Sequence, residues 1–244
     1  MADEVHPADA VSLEALEREK LSALAEFAAG AGHEMNNPLA VIAGRAQLLL
    51  RDETDPERRR ELAVIHSQAL RVVEMISDLM LFARPPAPQL AECDLRTLVN
   101  HVADEIVPMA SNRGICVIRP IDAEPLIAVV DRTQIAVALR AVCDNALFVL
   151  STGGTITLDA EATADGGFAI RVADDGPGIS AEMRRHVFDP FYSGRSAGRG
   201  LGTGLSKAWR IVTNHGGRVT LDSGSPSGTV LMIWLPAREG AALT

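Results

Sequence analysis

A histidine, a carboxylate and an amide stand at His33, Glu34 and Asn37 within Gly30-Ala31-Gly32-His33-Glu34-Met35-Asn36-Asn37-Pro38-Leu39. On a helix, residues i and i+4 lie on one face, and i+1 stands about 100° round from i beside them. An imidazole nucleophile, an acid that sets its tautomer and an amide that positions water would then lie together. A neutral imidazole is a competent nucleophile at physiological pH. A carboxylate that holds the proton on one ring nitrogen raises the nucleophilicity of the other, as in a hydrolase triad. Pro38 removes a backbone N–H and frees the Glu34 carbonyl, which predicts a bend beside the histidine. A zinc protease is excluded, because its metal pair needs a histidine where Asn37 stands. A lone His-Glu pair is more often a polar patch on a surface helix. The far end of the chain argues against that bland account here.

Four segments there carry chemistry of their own. Ala141-Val142-Cys143-Asp144-Asn145-Ala146 lies on a predicted helix. Val172-Ala173-Asp174-Asp175-Gly176-Pro177-Gly178-Ile179 reads as a strand running into a glycine turn. Val187-Phe188-Asp189-Pro190-Phe191-Tyr192-Ser193 holds two phenylalanines, which read as a hydrophobic anchor for a mobile lid. Gly198-Arg199-Gly200-Leu201-Gly202-Thr203-Gly204-Leu205-Ser206 enters a helix whose free N–H groups and positive dipole end suit a phosphate. A Rossmann site would need a strand just before these glycines and an acid about 20 residues later, and a Walker loop would need Gly-Lys-Ser/Thr. Neither is present.

In this order the segments resemble the catalytic core of sensor histidine kinases, in the ATPase superfamily that includes gyrase, Hsp90 and MutL. The resemblance runs over roughly residues 15–237. It likens His33-Glu-x-x-Asn37-Pro38 to the phospho-acceptor box, and the four later segments to the N, G1, F and G2 boxes. It implies that Asn145 ligates Mg²⁺, an ion that keeps several waters and takes few protein ligands. It implies that Asp174 accepts a hydrogen bond from the adenine amino group, and that Gly176 and Gly178 let the backbone approach the base. Gly200, Gly202 and Gly204 would face the triphosphate of ATP. Arg195 would touch a phosphate, and Thr229 would help hold the adenine. His33 would take the phosphoryl group and pass it to an aspartate on a response-regulator receiver domain. Asn37 would align water for the reverse, phosphatase step. The chain departs from the pattern at Ala141 and Phe148, where relatives often carry an asparagine and a basic residue. Fewer polar phosphate contacts are therefore expected from this helix. Two other functions stay open on sequence alone. One is a kinase-dead dimeric phosphotransfer or scaffold module. The other is a non-kinase ATPase of the same superfamily.

The elements that would position these residues follow from periodicity. Leu13, Leu16, Leu24, Phe27, Leu39, Ile42 and Leu49 keep helical spacing. The pattern breaks at Arg51–Asp55, and Pro56 suits the first turn of a second helix with Asp55 as its N-cap. That helix carries Leu62, Ile65, Leu70, Val73, Ile76 and Leu79, and Pro85-Pro86-Ala87-Pro88 stops it. A hairpin with so much apolar surface predicts a homodimeric four-helix bundle. Beyond it, helices are expected at 95–112, 131–150 and 203–215, the second opened by a capping box at Asp131 and Gln134. Strands are expected at 116–118, 126–130, 155–161, 168–173, 217–222 and 229–235, in a sheet covered by helices on one face. The expected class is α+β: a helical hairpin, then an α/β sandwich that binds ATP. The expected domains are a flexible N-terminus at 1–11, a dimerisation and phosphotransfer domain at 12–90, and an ATP-binding domain at 91–240.

Composition agrees with this organisation. The 244 residues are 47% hydrophobic and 4% aromatic, enough for an aliphatic core. The formal charge of −9 argues against a nucleic-acid partner. The scattered Cys93, Cys116 and Cys143 suggest reduced thiols in the cytoplasm. No apolar run approaches the ~18 residues of a membrane span, and no signal peptide is recognised. A separate sensory partner docking at the N-terminus is a further expectation. His66, His101, His186 and His215 are isolated, and each is expected on the surface or at a cap.

Overall fold

The computed structural model describes residues 30, 32, 34–83, 85–119, 124–189, 192, 202–222 and 228–238. The chain divides into two units between Pro85 and Pro86.

The first unit is a helical hairpin. Helix α1 is continuous over residues 34–52 and α2 spans Pro56–Ala83. Asp55 caps α2 as its sequence predicts, accepting hydrogen bonds from the N–H groups of Glu57 at 2.9 Å and Arg58 at 3.0 Å. Arg59 braces the turn by donating to the carbonyls of Leu50 and Glu53. The helices run antiparallel, because the start of α1 lies against the end of α2. A Cβ added at Gly32 would sit 2.7 Å from Met80 Sδ and 3.1 Å from Ile76 Cγ2. Gly32, Ala43 and Ala46 of α1 and Ala69 and Ile76 of α2 are buried. A second apolar set stays exposed: Met35, Val41, Ile42, Leu48 and Leu49 on α1, and Val64, Ile65 and Leu70 on α2. On α1 these recur at the heptad spacing of a second helix-packing seam.

The second unit is a sheet covered on one face. Its elements are β1 (Ala91–Asp94), α3 (Leu95–Ser111), β2 (Cys116–Ile118), β3 (Ile127–Val130), α4 (Arg132–Leu150), β4 (Thr155–Ala162), β5 (Phe168–Asp174), α5 (Ala181–His186), α6 (Gly204–Asn214), β6 (Arg218–Asp222) and β7 (Thr229–Leu235). The five-stranded sheet has the order β2-β4-β5-β7-β6. Only the β2–β4 pair is parallel. Alternation puts Ile156, Leu158, Ile170, Val172, Leu231 and Ile233 in the core. Leu98, Val102 and Ile106 of α3, Ile135, Leu139 and Val142 of α4, and Ile211 and Val212 of α6 are buried with them. The other side of the strands carries an Arg171–Glu161 ion pair and Arg218 stacked 3.9 Å above the Trp234 ring.

Four features differ from the sequence expectations, the first being the short helix α5, for which no helix was expected. Strand β1, at Ala91-Glu92-Cys93-Asp94, has no strand-like alternation, and pairing with β3 forms it. Among the described residues, α4 is long and apolar enough to pass as a membrane span, although no such run was expected. The apolarity is that of a core helix packed against both α3 and α6. The capping box at the start of α4 is only half formed. Asp131 accepts from the Gln134 N–H at 3.0 Å, but the Gln134 side chain donates to the Pro86 carbonyl at 3.1 Å instead of returning to Asp131. The Asp131 N–H is taken by the ring of His215, which is 1% exposed and forms the C-cap of α6, one of the two placements expected for it.

Candidate active site

Asp174 ends β5, between β4 and β7, and is 8% exposed. Its register partner on β7 is Thr229. One carboxylate oxygen accepts the Gly176 N–H at 3.0 Å. Burial pushes the Asp174 carboxyl above its ordinary range, the neighbouring Asp175 charge adds to this, and the N–H groups of Gly176 and Thr229 oppose it only in part. The Thr229 hydroxyl is buried and has no hydrogen-bond partner among the described residues. A desolvated carboxylate beside an unused buried hydroxyl is a polar pair awaiting a ligand. An adenine amino group suits the carboxylate, so the residues present fit the purine end of ATP.

Glycines shape this end of the sheet. A Cβ at Gly176 would lie 2.8 Å from both Asp174 Oδ1 and Val149 Cγ1. Gly178 has φ +77° and Gly228 has φ +105°, values that favour glycine, and a Cβ at Gly228 would collide with the Asp174 carbonyl. Gly228 precedes Thr229 directly. Its role was not read from the sequence, although the Gly-Thr pair entering a strand was the available signal.

The glycines expected to face phosphate lead into α6. Gly202 has φ +67°, and Thr203 makes no side-chain cap to the helix that follows. The start of α6 is thus not closed by the side chain of its own N-cap residue. Helices α4 and α6 pack together, and Gly204 lies 4.0 Å from Ala141 on α4, measured from its constructed Cβ. Asn145 is one turn further along the same face of α4 and half-buried. Among the described residues no cluster of three His, Cys, Asp or Glu could hold a metal. A divalent cation at this point fits the Asn145 amide oxygen together with phosphate oxygens.

On the hairpin, Glu34, Asn37 and Pro38 are exposed on α1. His33, Arg195, Gly200 and Phe191 lie outside the described residues. The structure thus brings Asn145, Asp174, Gly176, Gly178, Gly202, Gly204 and Thr229 into the second unit and Glu34 and Asn37 into the first. Beyond Asp174, α5 is capped by Ser180, and His186 pairs with Asp189 at 2.7 Å.

Comparison with known proteins assigns both units. Residues 23–88 match the His Kinase A (phospho-acceptor) domain. Residues 130–239 match the histidine kinase-, DNA gyrase B- and HSP90-like ATPase domain. The chain is 30% identical over 222 residues to the sensor histidine kinase ZraS of Klebsiella oxytoca, covering 90% of this chain and 47% of that protein. It is 29% identical over 218 residues to the signal transduction histidine-protein kinase AtoS of Escherichia coli (strain K12), covering 89% and 36%. Its fold is similar to that of full-length ShkA in complex with AMPPNP, with a TM-score of 0.77 and 26% identity over 88% of this chain and 47% of that one. The two matches together show a histidine kinase catalytic core, a phospho-acceptor domain followed by an ATPase domain. It spans about half the length, or less, of these curated relatives.

Proposed function

We propose that this chain is an ATP-dependent protein histidine kinase that phosphorylates itself on His33 and passes the phosphoryl group to an aspartate of a response-regulator receiver domain. The observation that carries the reading is the buried Asp174 carboxylate beside a Thr229 hydroxyl that has no partner among the described residues, at the sheet end of a domain of the ATPase family. Asp174 and Thr229 orient the adenine. The first turn of α6 receives the triphosphate through its N–H groups, and the resemblance adds Arg195 and Gly200 as phosphate contacts. Mg²⁺, which Asn145 would hold, would supply charge neutralisation on the phosphates. Glu34 holds the ring proton on one nitrogen of His33. The other nitrogen forms the P–N bond as the bond to the ADP oxygen breaks. Incubation with labelled ATP should give acid-labile phosphohistidine, and adding receiver domains should move the label to aspartate. A chain that binds ATP without labelling would instead be a scaffold.

The exposed apolar set of the hairpin supports a homodimer, since a second copy would cover it; Leu48 is 63% exposed in the single chain. Residues 1–85 alone should form a helical dimer, and residues 86–244 should be a monomer that still binds nucleotide. Light scattering on the two fragments checks this, and a dimeric 86–244 fragment would move the interface elsewhere. A separate sensory partner would act through the residues preceding His33. Cys93, Cys116 and Cys143 are free thiols, and we assign the activity to the reducing, ATP-bearing cytoplasm.

Asn37 is exposed one helical turn beyond His33, where it can reach water near a phosphoryl group without being the nucleophile. Asn37→Ala should slow receiver dephosphorylation more than phosphohistidine formation, because it removes water alignment and leaves His33 and Glu34 in place. The two rates, measured in variant and parent, decide. An equal fall in both would make Asn37 a residue of helix geometry.

A further inference from the structure

The half-formed capping box has a second effect besides opening α4. The first residues of the second unit, Pro86 to Gln89, are held onto the start of that helix. The Gln134 side chain donates to the Pro86 carbonyl at 3.1 Å, and the Gln89 N–H donates to the Asp131 carboxylate at 2.9 Å. The other Asp131 oxygen accepts the Gln134 N–H. The Asp131 N–H donates to His215 Nε2 at 3.1 Å, and His215 Nδ1 lies 2.9 Å from the Ile211 carbonyl. These partners require the ring to be neutral with its proton on Nδ1. Arg238 donates to the His215 carbonyl at 2.7 Å. Asp131, Gln134 and His215 are all buried. This clasp joins three things: the chain arriving from the hairpin, the N-terminus of the helix that carries Asn145, and the C-terminus of the helix whose first turn faces the phosphates.

We infer that Gln134, with Asp131 and His215, is a positioning residue for phosphoryl transfer, fixing where the chain from the phospho-acceptor hairpin leaves the nucleotide-binding domain. The inference rests on the kinase reading above. A tethered domain delivers its substrate to a nucleophile only from a restricted set of orientations, and a loose tether widens that set without changing how the substrate is bound. Misplacement of about 1 Å is enough to cost roughly 100-fold in rate. The clasp touches none of the residues assigned to adenine, phosphate or metal. Its loss therefore separates turnover from binding.

The test is Gln134→Met in the full chain. Methionine keeps the length of the side chain, removes the donor to Pro86, and removes the buried Gln134 Oε1 that has no partner among the described residues. The variant should fold with an unchanged thermal midpoint. Exchange of the Gln89 amide should quicken by roughly 2- to 12-fold, the factor carried by one neutral hydrogen bond. The dissociation constant for a non-hydrolysable ATP analogue should stay within about twofold. Phosphohistidine formation at saturating ATP should fall about tenfold. An unchanged rate at saturating ATP overturns the proposal, and so does a dissociation constant that rises in step with the loss of rate. Gln89 exchange reads the clasp even in a chain that forms no phosphohistidine. Absence of labelling in the parent therefore counts against the kinase reading, while unchanged Gln89 exchange in the variant counts against the clasp.

Discussion

His33→Gln eliminates phosphohistidine formation and leaves ATP affinity within about twofold of the parent, the tolerance expected when the two functions belong to independent units. Glutamine offers a polar side chain without a nucleophilic ring nitrogen, so no P–N bond forms. The described residues assigned to nucleotide, Asn145, Asp174, Gly176, Gly178, Gly202, Gly204 and Thr229, all belong to the second unit. They do not depend on the side chain at position 33 for their geometry. Labelling with γ-phosphate-tagged ATP and a separate nucleotide titration provide the two readouts. Residual acid-labile label in the variant would point to another acceptor, and lost affinity in a well-folded variant would break the division of labour between the units.

Asp174→Asn weakens ATP binding by roughly 10- to 150-fold, the 1.5–3 kcal/mol that a hydrogen bond to a charged group carries. The amide is a poorer acceptor, and its NH₂ group opposes the adenine amino group. The same substitution should leave the nucleotide-free protein at least as stable at neutral pH. Burial raises the Asp174 carboxyl above its unfolded value. An acid raised in this way costs stability at pH values above its folded pKa, and the cost disappears below its unfolded pKa. The asparagine variant should therefore show its largest advantage in thermal midpoint near neutral pH. The advantage should shrink as acid protonates Asp174 in the parent. An unchanged dissociation constant would remove Asp174 from the adenine site, and an advantage that grew with acid would contradict its raised pKa.

The long helices and central strands were legible because their residues repeat at periods of 3.6 and 2; the six-residue α5 is too short to show such a repeat. Asp55 before Pro56, and the alternation of β4 and β7, announced themselves locally. Strand β1 did not, because Ala91 to Asp94 become a strand only by pairing with residues more than thirty positions later. The clasp was illegible for a similar reason. Its capping-box signature is local, but the partners that complete it, Pro86, Gln89 and His215, are far away in sequence. Gln134 satisfied the pattern and spent its side chain elsewhere. At the candidate site, Asp174 and its glycines were readable from one short motif. Gly228 was not, since its need for a bare Cα comes from a strand more than fifty residues away.

The pairing of Asp174 with Thr229 also sets when this protein becomes competent during its synthesis. Strand β7 lies inside the sheet, between β5 and β6, and supplies the hydroxyl opposite the acid. A growing chain that ends before Thr229 has a hole in the middle of its sheet and lacks the hydroxyl opposite Asp174. On the proposed reading, nucleotide would stabilise only the molecule that has closed that gap. Chains truncated before Thr229 should therefore gain no thermal stability from ATP, whereas the full chain should.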